Sequence, residues 1–271
     1  MSYYVTTFCS GDTYTPIVEK WIERIKQKCV NSITEIFTSC SIHLNYGLSY
    51  AWWDVVRLHN NINLLKDHQK PVVHIDLDII IEKDIEPIVE LPYDIIISTE
   101  IGKDEAYPKE CSKILGFGVC SGFYVIKPTA LKFMTNIYNL MINQHYNNYS
   151  DQVTLMNYIV NNEYTISYEE IEFDSSSRVK VRYMNTIIHI DQIKICVLDF
   201  NIIIRDPINS DNQFGNHINI GNVGGTQQFL RYFDEPLESL PLTCRCGKIH
   251  LGDSSVCKHI EIRNIKNSVE S

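Results

Sequence analysis

Two aspartates separated by one residue follow a short apolar run in Val72-Val73-His74-Ile75-Asp76-Leu77-Asp78-Ile79-Ile80-Ile81. Side chains alternate along a strand, so extended geometry carried past Ile75 would send Asp76 and Asp78 to the same side. Carboxylates a few Å apart repel each other unless a cation or a shared proton lies between them. A hard divalent ion that prefers oxygen ligands, Mn2+ or Mg2+, answers that need. The apolar run reads as a buried parallel strand. In open α/β sheets, ligands bind in the crevice outside the carboxyl ends of such strands. An EF-hand is excluded, because the segment lacks the glycine and the terminal glutamate at the required spacing. Asp-x-Asp by itself is a common pattern; its position directly after an apolar strand gives it weight.

A second set of chemistry-bearing residues lies near the C-terminus. The chain has nine cysteines, an odd number. Cys9, Cys29, Cys40, Cys111, Cys120 and Cys196 are scattered through apolar or mixed surroundings, whereas three crowd into Cys244 to Cys257. That distribution points to reduced thiols plus one metal cluster, not to a disulfide framework. Cys244-x-Cys246, ten residues and then Cys257-x-His259 supply three thiolates and one imidazole, a ligand set for tetrahedral zinc. His250 is an alternative to His259, and Gly247 and Gly252 supply turns. In so small a piece, zinc would replace a missing hydrophobic core. Four protein ligands leave no open position, so the expected role is structural.

The elements that must position these groups follow from hydrophobic period. Tyr3 to Phe8 reads as a first strand, with turn chemistry in Cys9-Ser10-Gly11-Asp12. Pro16 opens a helix that carries Ile17, Trp21 and Ile25 on one stripe. Ile33 to Phe37 is a second strand. Ser49 to Leu65 is helical, with Trp52, Val55, Val56, Leu58, Ile62 and Leu65 as its apolar set. Trp52 and Trp53 read as core, not as ligand-stacking surfaces. Val72 to Ile75, Ile95 to Ser98 and Phe123 to Ile126 are further strands. Pro128-Thr129 starts a helix to about Met141, and Ser150 is the expected N-cap of a helix through Val160. Short β segments follow near Tyr164 to Ser167, Arg178 to Arg182, Thr186 to His189 and Ile195 to Leu198, with His189 read as a core residue. Asn201 to Gly225 reads mostly as loop. Alternating strand and helix predicts an α/β fold with a mostly parallel central sheet and flanking helices. We place this domain at residues 1–238 and a small zinc-binding tail at 239–271.

Composition limits the function classes. The 271 residues, 44% of them apolar, suffice for one large α/β domain or one domain and a small module. The formal net charge of -9 argues against a nucleic-acid partner. An acidic protein that binds a nucleotide diphosphate needs a divalent cation to offset the phosphates. Met1-Ser2-Tyr3-Tyr4 lacks the basic region of a signal peptide. No apolar stretch approaches the roughly 20 residues that span a bilayer. The expectation is a cytoplasmic protein without a transmembrane segment.

Several motifs, in order, resemble the GT-A glycosyltransferases, specifically the glycogenin and bacterial lipopolysaccharide galactosyltransferase group. That group places a helix with an Arg-Leu pair before its Asp-x-Asp strand; here stands Val55-Val56-Arg57-Leu58. It carries Asn-Ser/Ala-Gly leading into a strand; here stands Cys120-Ser121-Gly122-Phe123-Tyr124-Val125. It has Asp-Gln and then Leu-Asn at a helix start; here stands Asp151-Gln152-Val153-Thr154-Leu155-Met156-Asn157. It ends on a late His within His-x-x-Gly-x-x-Lys; the nearest match is His217-Ile218-Asn219-Ile220-Gly221. Two departures stand out: Cys120 replaces the usual Asn, and one extra residue precedes Gly221 with no Lys following at the expected place. The C-terminal C-x-C-x10-C-x-H spacing resembles the SWIM type of zinc finger.

The resemblance implies a GT-A, Rossmann-like fold and metal-dependent transfer of a sugar from a nucleotide diphosphate, with a uridine donor favoured and anomeric configuration retained. The acceptor would be a glycan, lipid or protein. Asp76, Asp78 and His217 would hold Mn2+ or Mg2+, with Asp76 also near the donor nucleotide or ribose. Asp151 and Gln152 would stand beside the reacting sugar. Thr7, Phe8 and Gly11 are candidates for the nucleotide pocket, and Arg57, Ser121 and Gly122 for the rest of the donor site. Arg57 also has a simpler reading as a structural ion pair, and Asp151 as a favourable charge in a helix's first turn. The tail, with its Cys244, Cys246, Cys257 and His259 zinc set, is a candidate for docking the acceptor or pairing two copies as a homodimer. A sugar-1-phosphate nucleotidyltransferase is an alternative, although Cys9-Ser10-Gly11-Asp12-Thr13 has one Gly and no Arg for a phosphate loop. A nucleotide- or nucleic-acid-binding protein with a zinc tail, and a binding-only glycosyltransferase fold, are others.

Overall fold

The computed structural model describes residues 2–9, 14–37, 52–100, 108–145, 150–174, 180–199, 201–205, 214–218, 226–234, 242–243 and 249–250. In chain order these form β1 (Tyr3–Phe8), α1 (Thr15–Lys28), β2 (Ser32–Phe37), α2 (Trp52–His68), β3 (Val72–Ile75), β4 (Ile79–Ile81), α3 (Glu86–Val89), β5 (Ile95–Glu100) and α4 (Lys109–Leu115). Next come β6 (Gly118–Ile126), a 3-10 turn (Pro128–Ala130), α5 (Leu131–Ile142), α6 (Asp151–Val160), β7 (Thr165–Asp174), β8 (Lys180–Ile190) and β9 (Ile193–Val197). The remainder is β10 (Ile203–Arg205), β11 (Gly215–His217), α7 (Thr226–Asp234), β12 (Leu242–Thr243) and β13 (Ile249–His250).

Eight strands make one sheet in the order β2-β1-β3-β6-β5-β9-β8-β7. Apolar side chains cover both faces. Tyr3, Val5, Val73, Phe123 and Val125 pack on the α1 stripe of Ile17, Trp21 and Ile25. Tyr4, Val72, Tyr124 and Ile126 pack on Leu58, Ile62 and Leu65 of α2, Phe133 and Met134 of α5, and Leu155 and Met156 of α6. This two-sided burial explains why β3 and β6 are buried at every position.

The sheet is mixed, not mostly parallel. Parallel pairing joins β1 to β2, β1 to β3 and β5 to β9. β6 runs antiparallel between β3 and β5, and β7, β8 and β9 form an antiparallel meander. Strand and helix alternation tells which segments are strands but not where each inserts. A two-residue turn closes the β8–β9 hairpin, with Asp191 at φ 48 and Gln192 at φ 66. Two consecutive left-handed residues match the right-handed twist of the flanking strands, and their sequence lacks the usual glycine.

Other departures share that origin. From Lys180 on, the two segments read near Arg178 to Arg182 and Thr186 to His189 are one strand, β8, continuously paired with β7. His189 is only half-buried there, near the hairpin end, and is not a core residue. The stretch read as loop holds β10 and β11, which join β4 in a separate three-stranded sheet. Trp53 is 38% exposed and so lies outside the core. The tail shows a short antiparallel hairpin, with Leu242 opposite His250 and Thr243 opposite Ile249. Cys244, Cys246, Cys257 and His259 lie outside the described residues, as does Gly11. No helix among the described residues is long and apolar enough to cross a membrane.

Helix α7 was not legible in the sequence, yet it seals the α1 face. Phe229 is fully buried and meets Phe233 edge to face at 5.7 Å. Phe229→Ala is expected to lower stability by about 3–5 kcal/mol, the range for truncating a buried aromatic. The urea midpoint measures it; a shift near zero would show that α7 is not docked on this core.

Candidate active site

Strand β3 ends at Ile75, and the next residues turn instead of extending. Asp76 N–H donates to Gly122 O at 2.8 Å, and Ile79 N–H closes back on Asp76 O at 3.0 Å. The two carboxylates therefore converge through a turn, not through the strand alternation expected from the sequence. After that turn, β4 pairs antiparallel with β11, setting Ile79 opposite His217. Ile218 N–H donates to Asp78 O at 2.7 Å and locks this register. His217 Nε2 comes to rest 3.3 Å from Asp78 Oδ1. Asp76, Asp78 and His217 each offer a ligand atom within 4.8 Å of the others.

An irregularity in β6 makes room for this cluster. Ile97 pairs with Tyr124, but the next β5 residue, Ser98, pairs with Cys120. Ser121, Gly122 and Phe123 thus form a bulge, a device that re-aims side chains beside a site. A Cβ on Gly122 would lie 2.9 Å from Asp76 Oδ2 and 3.4 Å from His217 Cε1. Only a residue without a side chain lets both candidate ligands approach.

On the other side of Asp76, the α2 residue Arg57 gathers the acidic groups. Its guanidinium meets Asp151 Oδ1 and Oδ2 at 2.8 Å, Asp54 Oδ1 at 3.0 Å and Asp76 Oδ1 at 3.1 Å. It also donates to Ser121 Oγ at 2.8 Å. Arg57 is 5% exposed, so these charges meet almost out of water. Ser150 takes the N-cap position of α6 without a capping side-chain bond; its hydroxyl bonds Asp54 instead. Gln152 accepts from Ser121 N–H at 3.3 Å and donates to Glu100 at 3.0 Å.

A layer of buried polar groups supports Asp76 from behind. His74 Nε2 donates to Asp76 Oδ1 at 2.8 Å, with Nδ1 turned to the Thr6 hydroxyl at 3.5 Å. Thr6 donates to Asn61 Oδ1 at 2.8 Å, Asn61 donates to Tyr124 Oη at 2.9 Å, and the Tyr124 ring stacks on His74 at 5.1 Å. Oδ1 of Asp76 is therefore occupied, and Oδ2 is the oxygen turned toward Gly122 and His217. Sequence reasoning missed Thr6, Asp54, Asn61, His74 and Tyr124. Spacing held a signal for three of them. His74 shares a strand face with Asp76, and Asp54 and Asn61 share a helix face with Arg57. Thr7 is fully buried, with Oγ1 unbonded among the described residues, while Phe8 is half-buried at the end of β1.

The charges shift one another strongly. Burial disfavours the Asp76 anion, but Arg57, the His74 bond and His217 outweigh it and hold Asp76 well below the usual carboxylate range. Burial pushes His74 down, keeping it neutral against the pull of Asp76. Burial also works against a charged His217, yet Asp78 and Cys120 beside it raise it well above the ordinary value. Asp54 moves the other way: burial, opposed by Arg57 and reinforced by Asp151 and Asp76, pushes it up to about 7. One guanidinium does not neutralise three carboxylates.

Comparison with solved structures bears on the fold. The chain shares its fold with a glycosyltransferase. That protein is a glycosyltransferase involved in glycosylation of the major capsid of PBCV-1; the match has a TM-score of 0.56 and 10% identity, and covers 86% of this chain and 99% of that one. A weaker likeness, TM-score 0.38 at 11% identity, is to the glycosyltransferase GlyE of Streptococcus pneumoniae TIGR4, over 56% of this chain and 42% of that one. No family model matches the chain, and no curated protein matches it in sequence.

Two outcomes follow from the geometry. Gly122→Ala is expected to displace Asp76 or His217 and weaken Mn2+ affinity about tenfold or more, as read by titration with Mn2+; unchanged affinity would show that the cradle is not tight. For Asp54, the folded carboxyl titrates near 7 and the unfolded one near 4, so between those values the folded state holds a proton the unfolded state has lost. This group's contribution therefore falls as pH rises through that window, by up to about 1.4 kcal/mol per pH unit. Asp54→Asn keeps an oxygen facing Arg57 and should remove that decline. The stability difference between variant and parent in metal-free buffer, followed from pH 4.5 to 7, isolates it from the histidines; a pH-independent difference would contradict the shift.

Proposed function

We propose that this chain is a divalent-metal-dependent glycosyltransferase that moves a sugar from a nucleotide diphosphate to a glycan, lipid or protein acceptor. The observation that carries this is the convergence of Asp76, Asp78 and His217 where β3 ends. A sheet shared with a glycosyltransferase supports it. So does the order of the sequence motifs, which now fall around one point. The donor set of two carboxylates and one imidazole suits Mn2+ or Mg2+, with oxygen ligands leading. The Gly122 cradle lets Asp76 and His217 approach each other closely.

Asp76 Oδ2, Asp78 and His217 Nε2 would hold the ion. A divalent ion there supplies Lewis-acid stabilisation of the negative charge that grows on the pyrophosphate as the sugar bond breaks. Arg57 and His74 hold Asp76 ionised and aimed. Asp151 acts through its double contact with Arg57, which keeps that guanidinium beside Asp76. Gln152 and Ser121 set the polar edge of the donor sugar's seat, and Gly122 admits the sugar close to the sheet. Thr7 and Phe8, at the end of β1, would line the nucleotide pocket with Gly11. A uridine nucleotide and retention of configuration follow from the sequence resemblance. Cys244, Cys246, Cys257 and His259 would bind structural zinc in the tail.

Asp78→Ala should reduce Mn2+-dependent hydrolysis of, or transfer from, a UDP-sugar by at least about a hundredfold, the loss of several kcal/mol of charge stabilisation. The rate with and without EDTA, measured across a panel of UDP-sugars, provides the test. Equal turnover by variant and parent would overturn the metal site, and with it this function.

A further inference from the structure

Cys120 stands where the resembling enzymes carry Asn, and the structure puts it against the imidazole of His217. Its Sγ lies 3.7 Å from His217 Nδ1, while Nε2 on the opposite side of the ring faces Asp78 Oδ1 at 3.3 Å. Neither group is loosely held. Cys120 is 8% exposed, and the Ser98 hydroxyl donates to its carbonyl oxygen at 2.9 Å. Gly122 lies against the ring at Cε1. The β4–β11 register and the Ile218 bond to Asp78 fix the backbone on the histidine's side.

A histidine nitrogen binds a metal through its lone pair, so Nε2 ligates only when the ring proton sits on Nδ1. That Nδ1–H needs an acceptor, and metal-binding histidines nearly always have one at the second nitrogen. Sulfur is a weak acceptor, but it is the group placed there. In the opposite tautomer the thiol donates to Nδ1, and Nε2–H points at Asp78. Both ligands are then consumed by each other.

The geometry points to Cys120 as the positioning residue that selects the metal-binding tautomer of His217. The same contact argues against two other roles. A direct fourth ligand is disfavoured because the sulfur approaches Nδ1, on the far side of the ring from Asp78. A purely space-filling thiol would not need its sulfur within hydrogen-bond reach of a ring nitrogen, as Sγ is at 3.7 Å from Nδ1.

This inference rests on the proposed metal site, and the test separates the two. Free Mn2+ is followed by its electron paramagnetic resonance signal during titration of the full chain, with the metal-free melting temperature recorded for each variant. Cys120→Ala is expected to raise the Mn2+ Kd about tenfold, in the range for removing an outer-shell partner. Cys120→Asn, whose amide oxygen accepts from Nδ1–H, should keep the Kd within about twofold of the parent. His217→Ala should lose the site. If alanine at 120 does not fold, Cys120→Val, close to cysteine in size and without an acceptor, takes its place. Parental affinity in Cys120→Ala together with loss in His217→Ala would overturn the role of Cys120 alone. A tenfold loss in Cys120→Asn would also overturn it, since the acceptor would then not be what matters. Parental affinity in His217→Ala would overturn the metal site and this inference together.

Discussion

One buried guanidinium ties the site to the fold. Arg57 projects from α2 and is held by Asp54 on its own helix, Asp76 after β3, Ser121 in β6 and Asp151 at the start of α6. Four separate elements meet at one planar cation, and its fork geometry limits how they can be arranged. Removing a partner from such a buried cluster leaves charge uncompensated, which is why the cluster resists piecemeal change. The cost of burying it is offset by hydrogen bonds at nearly every donor. What remains is an excess of acidic groups, three carboxylates around one guanidinium.

That surplus connects structure to chemistry. Asp76 has one oxygen engaged by His74 and Arg57, and the other turned toward His217. A buried polar chain from Tyr124 through Asn61 and Thr6 to His74 stiffens this orientation. The three candidate ligands come from a turn and a short strand; Asp76 and His217 are braced by groups on the main sheet, and Asp78 by the Ile218 N–H and His217. Precision of this kind, in an outer layer of hydrogen bonds, is what a metal or phosphate site requires. The sheet and the acidic cluster are thus built together, one placing the backbone and the other the charge.

Backbone irregularity contributes as much as side-chain choice. The β6 bulge at Ser121, Gly122 and Phe123 is the hinge of the site. It offers the Gly122 carbonyl to Asp76, turns Ser121 toward Arg57 and leaves the Gly122 hydrogen facing the ligands. An ideally paired strand would not serve all three. The separate β4, β10 and β11 sheet then delivers His217 from late in the chain to a position beside Asp78.

Local pattern alone was enough for much of this protein. Ile17, Trp21 and Ile25 recur at helical spacing, and α1 buries all three. Val72 to Ile75 is apolar except for His74, and β3 is buried on both faces. The Asp-x-Asp pair, the late histidine and the Arg57, Ser121, Gly122 and Asp151 motifs carried enough order to suggest a sugar-transferring fold. Tertiary structure decided what local pattern does not contain. It set the antiparallel insertion of β6, the continuous β8, the strands within Asn201 to Gly225, and α7. It also turned the chain at Asp76 where alternation predicted a straight strand, and it gave Cys120 a partner in His217. These features depend on which distant segments find each other. A residue's own neighbours report its period and burial, whereas register, bulges and ion-pair partners are settled only when separate elements compete for the same buried space.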